Sequence, residues 1–248
     1  VYGELPRKPR KLKNQEIVVN LEEPSELSEC FPLLAERMVA LSDGNEGNPL
    51  SVLITSTCSG EGKTYLSVNL ALSLAVAGKK VLLMDMDLRK GALSALLGGA
   101  GKPGLGDLEQ AGEGGWRSLV EQSPVSDHLD YLFAGTVPDH PSRLLLHDRI
   151  RKLMEEVKEQ YDFIFMDCVP YSSLADARIV ARLADVTLYV MRAGCVKKRD
   201  LAGLQKIWKN GELKRMGIVL CDVEPHGRSS RGYAVYRSLD TSSPCAGK

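Results

Sequence analysis

Short runs of consecutive apolar residues alternate along this chain with segments of helical period. Leu27, Phe31, Leu34, Met38 and Leu41 recur at spacings of four and three, the stripe of an amphipathic helix. Pro32 lacks the N–H that a helix interior needs, so the spacing predicts a start at Ser28, with that residue as N-cap and Pro32 near the first turn. Residues 43–49 read as a loop. Beyond them the pattern predicts strand 51–56, a buried helix 64–76 closed by Gly78, strand 80–85, a short helix 92–97 and strand 129–133. Helix 144–160, strand 161–166, helix 173–183, strand 186–191, helix 199–209 and strand 216–223 follow. Residues 98–106 hold five glycines and must be loop. Strands that alternate with helices mean βα units, hence a three-layer α/β/α fold with a mostly parallel central sheet.

The two ends differ from this body. Residues 1–24 show no period and carry Arg7, Lys8, Arg10, Lys11 and Lys13 beside Pro6 and Pro9. That segment reads as a basic, juxtamembrane-like linker, either solvated or lying near an anionic membrane face. Residues 224–248 contain ten Gly, Ser and Pro residues and two tyrosines, Tyr233 and Tyr236, too little apolar content to fold alone. The division expected is linker 1–24, one domain 25–223 and a flexible tail 224–248.

Composition narrows the function classes. Lys+Arg and Asp+Glu are both 32, so the net charge is zero and a protein that coats nucleic acid is not expected. No apolar run reaches the ~18 residues that span a bilayer. The chain begins Val-Tyr-Gly without Met, which reads as an excised or processed start. No two of the six cysteines lie closer than 24 residues, so no zinc knuckle is present and a reducing compartment without disulfides is expected.

Three segments carry candidate chemistry. The first is Thr57-Cys58-Ser59-Gly60-Glu61-Gly62-Lys63-Thr64, between a strand and a helix. Small residues let backbone N–H groups point at phosphate oxygens, a Lys at the loop end reaches the outer phosphates, and the neighbouring hydroxyl ligates Mg²⁺. The helix N-terminus adds the positive end of its dipole. Thr57 stands where the usual first glycine would be. The second segment is Val81-Leu-Leu-Met-Asp85-Met-Asp87-Leu-Arg89, an apolar strand that ends in two carboxylates on one side. The third is Phe163-Ile-Phe-Met-Asp167, again a buried strand ending in Asp. All three would end at the carboxyl edge of a parallel sheet, where such folds bind ligands.

Together these segments resemble the bacterial tyrosine autokinases (BY-kinases) of capsular and exopolysaccharide synthesis and export. Ser59 to Thr64 resembles that family's Walker A motif in a P-loop NTPase fold, Asp85-Met-Asp87-Leu-Arg89 its Walker A′ and residues 163–167 its Walker B. Similarity continues through Phe133-Ala-Gly-Thr-Val-Pro-Asp-His-Pro-Ser142 and Asp176-Ala-Arg, and covers roughly residues 26–223. The start, Tyr2 to Pro6, is similar to the segment that joins the family's membrane part to its kinase domain.

The resemblance implies an ATP- and Mg²⁺-dependent protein tyrosine autokinase that regulates polysaccharide chain length and export. Ser59, Gly60, Glu61, Gly62, Lys63, Thr64 and Tyr65 would bind the nucleotide. Lys63 would hold the β- and γ-phosphates, Thr64 would ligate Mg²⁺, and Asp87 and Asp167 would position the metal. Asp85 would help activate the incoming tyrosine hydroxyl. Tyr233 and Tyr236 would accept phosphate from a neighbouring copy in a homo-oligomer. The partner would be a membrane polysaccharide co-polymerase segment, with the domain tethered to the inner membrane on its cytoplasmic side and no nucleic acid bound. Cys58 replaces the second loop Lys of the related partition and septum-site ATPases. The family's Glu-x-x-Arg-x-x-Arg oligomerisation motif aligns with Glu29, Pro32 and Ala35, so both arginines are missing. A nucleotide-binding scaffold without phosphoryl transfer, and an ATPase switch of the partition or septum-site class, stand as alternatives.

Overall fold

A computed structural model describes residues 2–8, 16–19, 26–43, 48–112, 114–172 and 175–224. Eight strands form one sheet: β1 (Gly3–Pro6), β2 (Leu50–Ser56), β3 (Val81–Asp85), β4 (Val120–Gln122), β5 (Leu129–Leu132), β6 (Phe163–Asp167), β7 (Val186–Arg192) and β8 (Met216–Val223). Their order is β1-β8-β7-β2-β6-β3-β5-β4. Every neighbouring pair is parallel except β4 with β5. β2, β3 and β6 are buried along their whole lengths, as strands covered on both faces must be.

Two apolar layers cover the sheet. On one face lie α1 (Glu26–Asp43) and α2 (Lys63–Val76), whose Phe31, Met38, Leu66, Leu70 and Leu74 are buried with Val52 and Phe165. Leu93 of α3 (Ala92–Leu96) joins that layer. On the other face α4 (Leu108–Ala111), α5 (Pro141–Leu146), α6 (Asp148–Lys158), α7 (Ala175–Ala181) and α8 (Lys198–Lys209) bury Leu108, Leu144, Ile150, Val180 and Leu204 against Leu53, Ile164 and Met166. The three-layer α/β/α fold follows from this arrangement.

Several boundaries differ from the sequence reading. Helix α1 starts at Glu26, so Ser28 is a buried helical residue and Pro32 lies inside the helix. An interior proline costs ~3 kcal/mol. Burying Leu27, Phe31, Leu34 and Met38, at ~1.5–3 kcal/mol each, outweighs it. The predicted helix 144–160 is two helices broken at His147, whose extended backbone (ψ 142) caps α6 and whose Nδ1 accepts the Arg149 N–H at 3.2 Å.

The first 24 residues are not wholly a linker. Residues 3–6 add a parallel edge strand to β8 and bury Leu5. The Tyr2 N–H donates to the Ile218 carbonyl at 2.7 Å and the Arg7 N–H to that of Val223 at 2.9 Å. A side chain at Gly217 would overlap the Tyr2 ring, so a glycine is needed for β1 to dock. Further on, Asn69 of α2 accepts the Val18 N–H at 2.7 Å and donates to the Glu16 carbonyl at 2.8 Å, which straps residues 16–19 across that helix. Lys11, Lys13, Arg10 and the tail residues 225–248, with Tyr233 and Tyr236, lie outside the described residues. No helix among the described residues is long and apolar enough to cross a membrane.

Candidate active site

The phosphate loop runs from the end of β2 into α2. Gly60 and Gly62 have φ of +84° and +100°, a region that side chains rarely adopt. Those two residues turn the backbone so that it enters α2 at Lys63. Glu61, though charged, is buried: its Oε2 accepts the Cys58 N–H at 2.6 Å and braces the loop from within. Ser59 and Gly60 are exposed at the loop's outer side. Half-buried Lys63 donates from Nζ to Ser56 Oγ at 3.0 Å. Burial lowers the pKa of its ammonium, while Asp167, Glu61 and Asp87 pull it back up.

Asp167 ends β6 directly between β2 and β3, paired in register with Ile54 on one side and Asp85 on the other. Its Oδ2 accepts the Thr64 hydroxyl at 2.7 Å and its Oδ1 the Ser67 hydroxyl at 2.9 Å. Burial raises its pKa to about 7, with the neighbouring Asp85 charge adding to the rise and the two hydroxyls and Lys63 opposing it. An ionised carboxylate at this place therefore calls for a cation.

The loop after β3 winds around two carboxylates. Asp85 is fully buried; Oδ1 accepts the Asp87 N–H at 3.1 Å, and Oδ2 accepts the Ser94 N–H at 2.8 Å and its hydroxyl at 2.7 Å. Burial raises its pKa to about 6 against those hydrogen bonds. Ser94 in turn accepts the Ala134 N–H at 2.9 Å. Asp85, expected to help activate an incoming hydroxyl, is buried here and its three donors tie it into the loop. Asp87 is half-buried, and its Oδ1 accepts the Arg89 and Lys90 N–H groups at 3.3 and 3.1 Å. Arg89 then reaches Asp176 of α7 and Ser142 of α5.

Lys63, Thr64, Asp85, Asp87 and Asp167 thus gather at one sheet edge, as their spacing predicted. Tyr65 follows them in α2, but its ring packs edge-on against Phe31 at 5.8 Å and under the Lys8 ammonium at 4.3 Å, with the phenol oxygen buried. Its ring is therefore committed to the α1 layer, and its contribution at the loop is the backbone of the first helical turn. Ser94, Ser67, Ser142 and Asp176 went unrecognised as site residues. Ser94 and Ser67 signal only as polar residues where the helical pattern asks for apolar ones, whereas Ser142 and Asp176 lie in the two further stretches of family similarity, which carry no role by themselves.

Among the described residues no cluster of three or more His, Cys, Asp or Glu side chains could hold a metal by itself. The donors present are oxygens: the Thr64 hydroxyl, the Asp167 carboxylate and Asp87. That set suits Mg²⁺, which keeps waters and takes further ligands from phosphates.

Residues 52–247 match the family described as the CobQ/CobB/MinD/ParA nucleotide binding domain. The tyrosine-protein kinase YwqD of Bacillus subtilis is 31% identical over 231 residues, which cover 92% of this chain and 94% of that protein. The chain belongs to the bacterial tyrosine-kinase branch of this nucleotide-binding family. The putative tyrosine-protein kinase EpsB of Ralstonia nicotianae is 35% identical over 209 residues, 82% of this chain. The chain spans about a quarter of that relative, 27% of its length. Among solved structures, the BceF tyrosine kinase domain superposes with a TM-score of 0.75 at 28% identity, covering 90% of this chain and 93% of that one. MinD of Pyrococcus horikoshii, complexed with Mg-ADP, gives a TM-score of 0.57 at 25% identity over 74% of this chain and 73% of that one. The BY-kinase resemblance and the P-loop NTPase fold are thereby established.

Proposed function

We propose that this chain transfers the γ-phosphoryl group of ATP to protein tyrosines, its own tail included, within a system that builds and exports surface polysaccharide. One observation carries this reading. The Lys63 ammonium, the Thr64–Asp167 pair and the half-buried Asp87 converge on the mouth of a glycine-shaped loop, in a chain that matches a tyrosine kinase nearly end to end. Phosphoryl transfer asks mainly for positioning and charge stabilisation.

In this mechanism the loop N–H groups and the α2 N-terminus hold the phosphates, and Lys63 neutralises charge on the β- and γ-phosphates. Mg²⁺, which Thr64, Asp87 and Asp167 would hold, would supply further charge neutralisation to the phosphates. Thr64 offers its hydroxyl to the metal, and Asp167 orients that hydroxyl from behind. The tyrosine oxygen forms the new bond to the γ-phosphorus as the bond to the bridging oxygen breaks. Asp87 would position the metal together with Asp167, and Asp85, held beneath the same loop by Ser94, would help activate the phenol and take its proton. Tyr233 and Tyr236 are the proposed acceptors, served by a second copy. A membrane co-polymerase segment is the proposed partner, which would keep the domain beside the inner membrane.

The test is phosphotyrosine mapping by mass spectrometry after incubation with ATP and Mg²⁺. Lys63-dependent phosphate on Tyr233 or Tyr236 is the expected result. The missing arginines at Pro32 and Ala35 favour a second reading, a nucleotide-binding scaffold. Nucleotide binding without any phosphotyrosine, with the membrane partner supplied, would establish that instead.

A further inference from the structure

Asp176 is a buried carboxylate that the mechanism above does not use. Its side chain is 3% exposed. Arg89 meets it with two nitrogens, Nε to Oδ2 at 2.8 Å and a terminal nitrogen to Oδ1 at 3.5 Å. The Ser142 hydroxyl also donates to Oδ1, and the same terminal nitrogen of Arg89 lies 3.3 Å from Ser142 Oγ. Burial by itself would push the Asp176 carboxyl up, but the Arg89 and Ser142 hydrogen bonds outweigh it and hold it below the usual carboxylate range. Three elements meet here: the loop after β3, the start of α5 and the first turn of α7.

The other end of Arg89 carries the consequence. Its backbone N–H donates to Asp87 Oδ1, the oxygen that also takes the Lys90 N–H. Fixing the Arg89 side chain therefore fixes the backbone that orients Asp87. Arg89 is 40% exposed, so the pair is partly solvated and is weak evidence for net stability. A role in geometry accounts for it better. We propose that Asp176 and Ser142 are positioning residues that act through Arg89 to aim the Asp87 carboxylate at the metal side of the nucleotide site.

The inference rests on Mg²⁺-nucleotide binding at this site, not on phosphate transfer. It is tested by titrating the full chain with the fluorescent nucleotide mant-ADP, once with Mg²⁺ and once with EDTA. The ratio of the two dissociation constants measures metal coupling. Asp176→Asn is expected to remove roughly tenfold of that ratio, the usual loss when a partner behind a metal-site group is removed. Its EDTA affinity is expected to stay within about twofold of the unaltered chain, because the phosphate loop is untouched. Ser142→Ala, at a half-buried position, is expected to shift the ratio the same way by a smaller amount, and it decides the matter if Asp176→Asn does not fold. A merely structural role predicts equal losses with and without Mg²⁺, and that result overturns the proposal. An unchanged ratio in both variants overturns it, as does an unaltered chain whose affinity ignores Mg²⁺. Failure of the kinase reading would look different: metal coupling would be present while phosphotyrosine is absent.

Discussion

The phosphate loop and the loop after β3 face each other across Asp167 and keep their shapes by different means. The first is shaped by backbone. Gly60 and Gly62 adopt left-handed φ values, and short internal bonds brace it: the Cys58 N–H donates to Glu61, and Ser56 Oγ donates to the Cys58 carbonyl and accepts from Lys63 Nζ. The second is shaped by side chains. Asp85 gathers three donors, Asp87 two, and Arg89 ties the loop to α5 and α7. A backbone-shaped loop presents N–H groups to any phosphate chain. A loop shaped by carboxylates can be tuned by distant residues, and its geometry depends on their charge state.

The largest effect should come from the one basic side chain of the first loop. Lys63→Met is expected to lower phosphotyrosine formation by ~10²–10³-fold, the scale for losing a charge-stabilising group in the transition state. Phosphotyrosine retained at an unaltered rate would mean that the backbone loop alone suffices. Next is pH. Asp167 has a folded pKa of about 7, raised from 3.8 by burial. The stability that its protonated form contributes is present below the unfolded pKa and is lost as pH rises through about 7. The nucleotide-free chain should therefore melt at lower temperature at pH 8 than at pH 5.5. Asp167→Asn should flatten that slope and recover up to about 4 kcal/mol at pH 8, roughly 8–16 °C by calorimetry. Asp85, raised to about 6, leaves a residual slope in the same direction at slightly lower pH.

A smaller change sharpens the contrast. Ser94→Ala removes a donor to Asp85 and the acceptor of the Ala134 N–H. It should cost about 1–3 kcal/mol by urea unfolding, since buried partners are left unsatisfied. The smallest effect is expected in the phosphate loop itself. Glu61→Gln keeps an oxygen to accept the Cys58 N–H, so mant-ADP affinity should move by less than about threefold, two-thirds of a kcal/mol. A larger shift would show that this loop, too, depends on a side-chain charge.

The same contrast explains what could be read from the sequence. The central strands were legible because buried parallel strands are continuous apolar runs, as in Val81 to Met84 and Phe163 to Met166. The phosphate loop was legible because its glycines and Lys63 are consecutive. The Asp176–Ser142–Arg89 cluster was not, because its three members are joined only by the fold, 87 and 34 positions apart along the chain. Asp85 and Asp87 look alike in sequence, yet the first is fully buried and the second only half-buried. Strand β1 was missed because four residues carry no period and its partner lies at the far end of the chain. The break at His147 was missed because the apolar stripe continues on both sides of it, through Leu144, Leu145, Ile150 and Leu153. Pro32 misled the placement of α1 because tertiary burial outweighed a local penalty.

The pairing of the first strand with the last has a consequence in time. Arg7, just past β1, and Asp222, near the end of β8, are 215 positions apart. At ~5–20 residues per second, a ribosome needs roughly 10–40 s to travel that distance. During that interval Leu5 has no partner strand to cover it, and the nascent edge is open to the wrong neighbour. The docking of β1 thus waits until β8 has been synthesised, and the contacts beside Asp222 form only then.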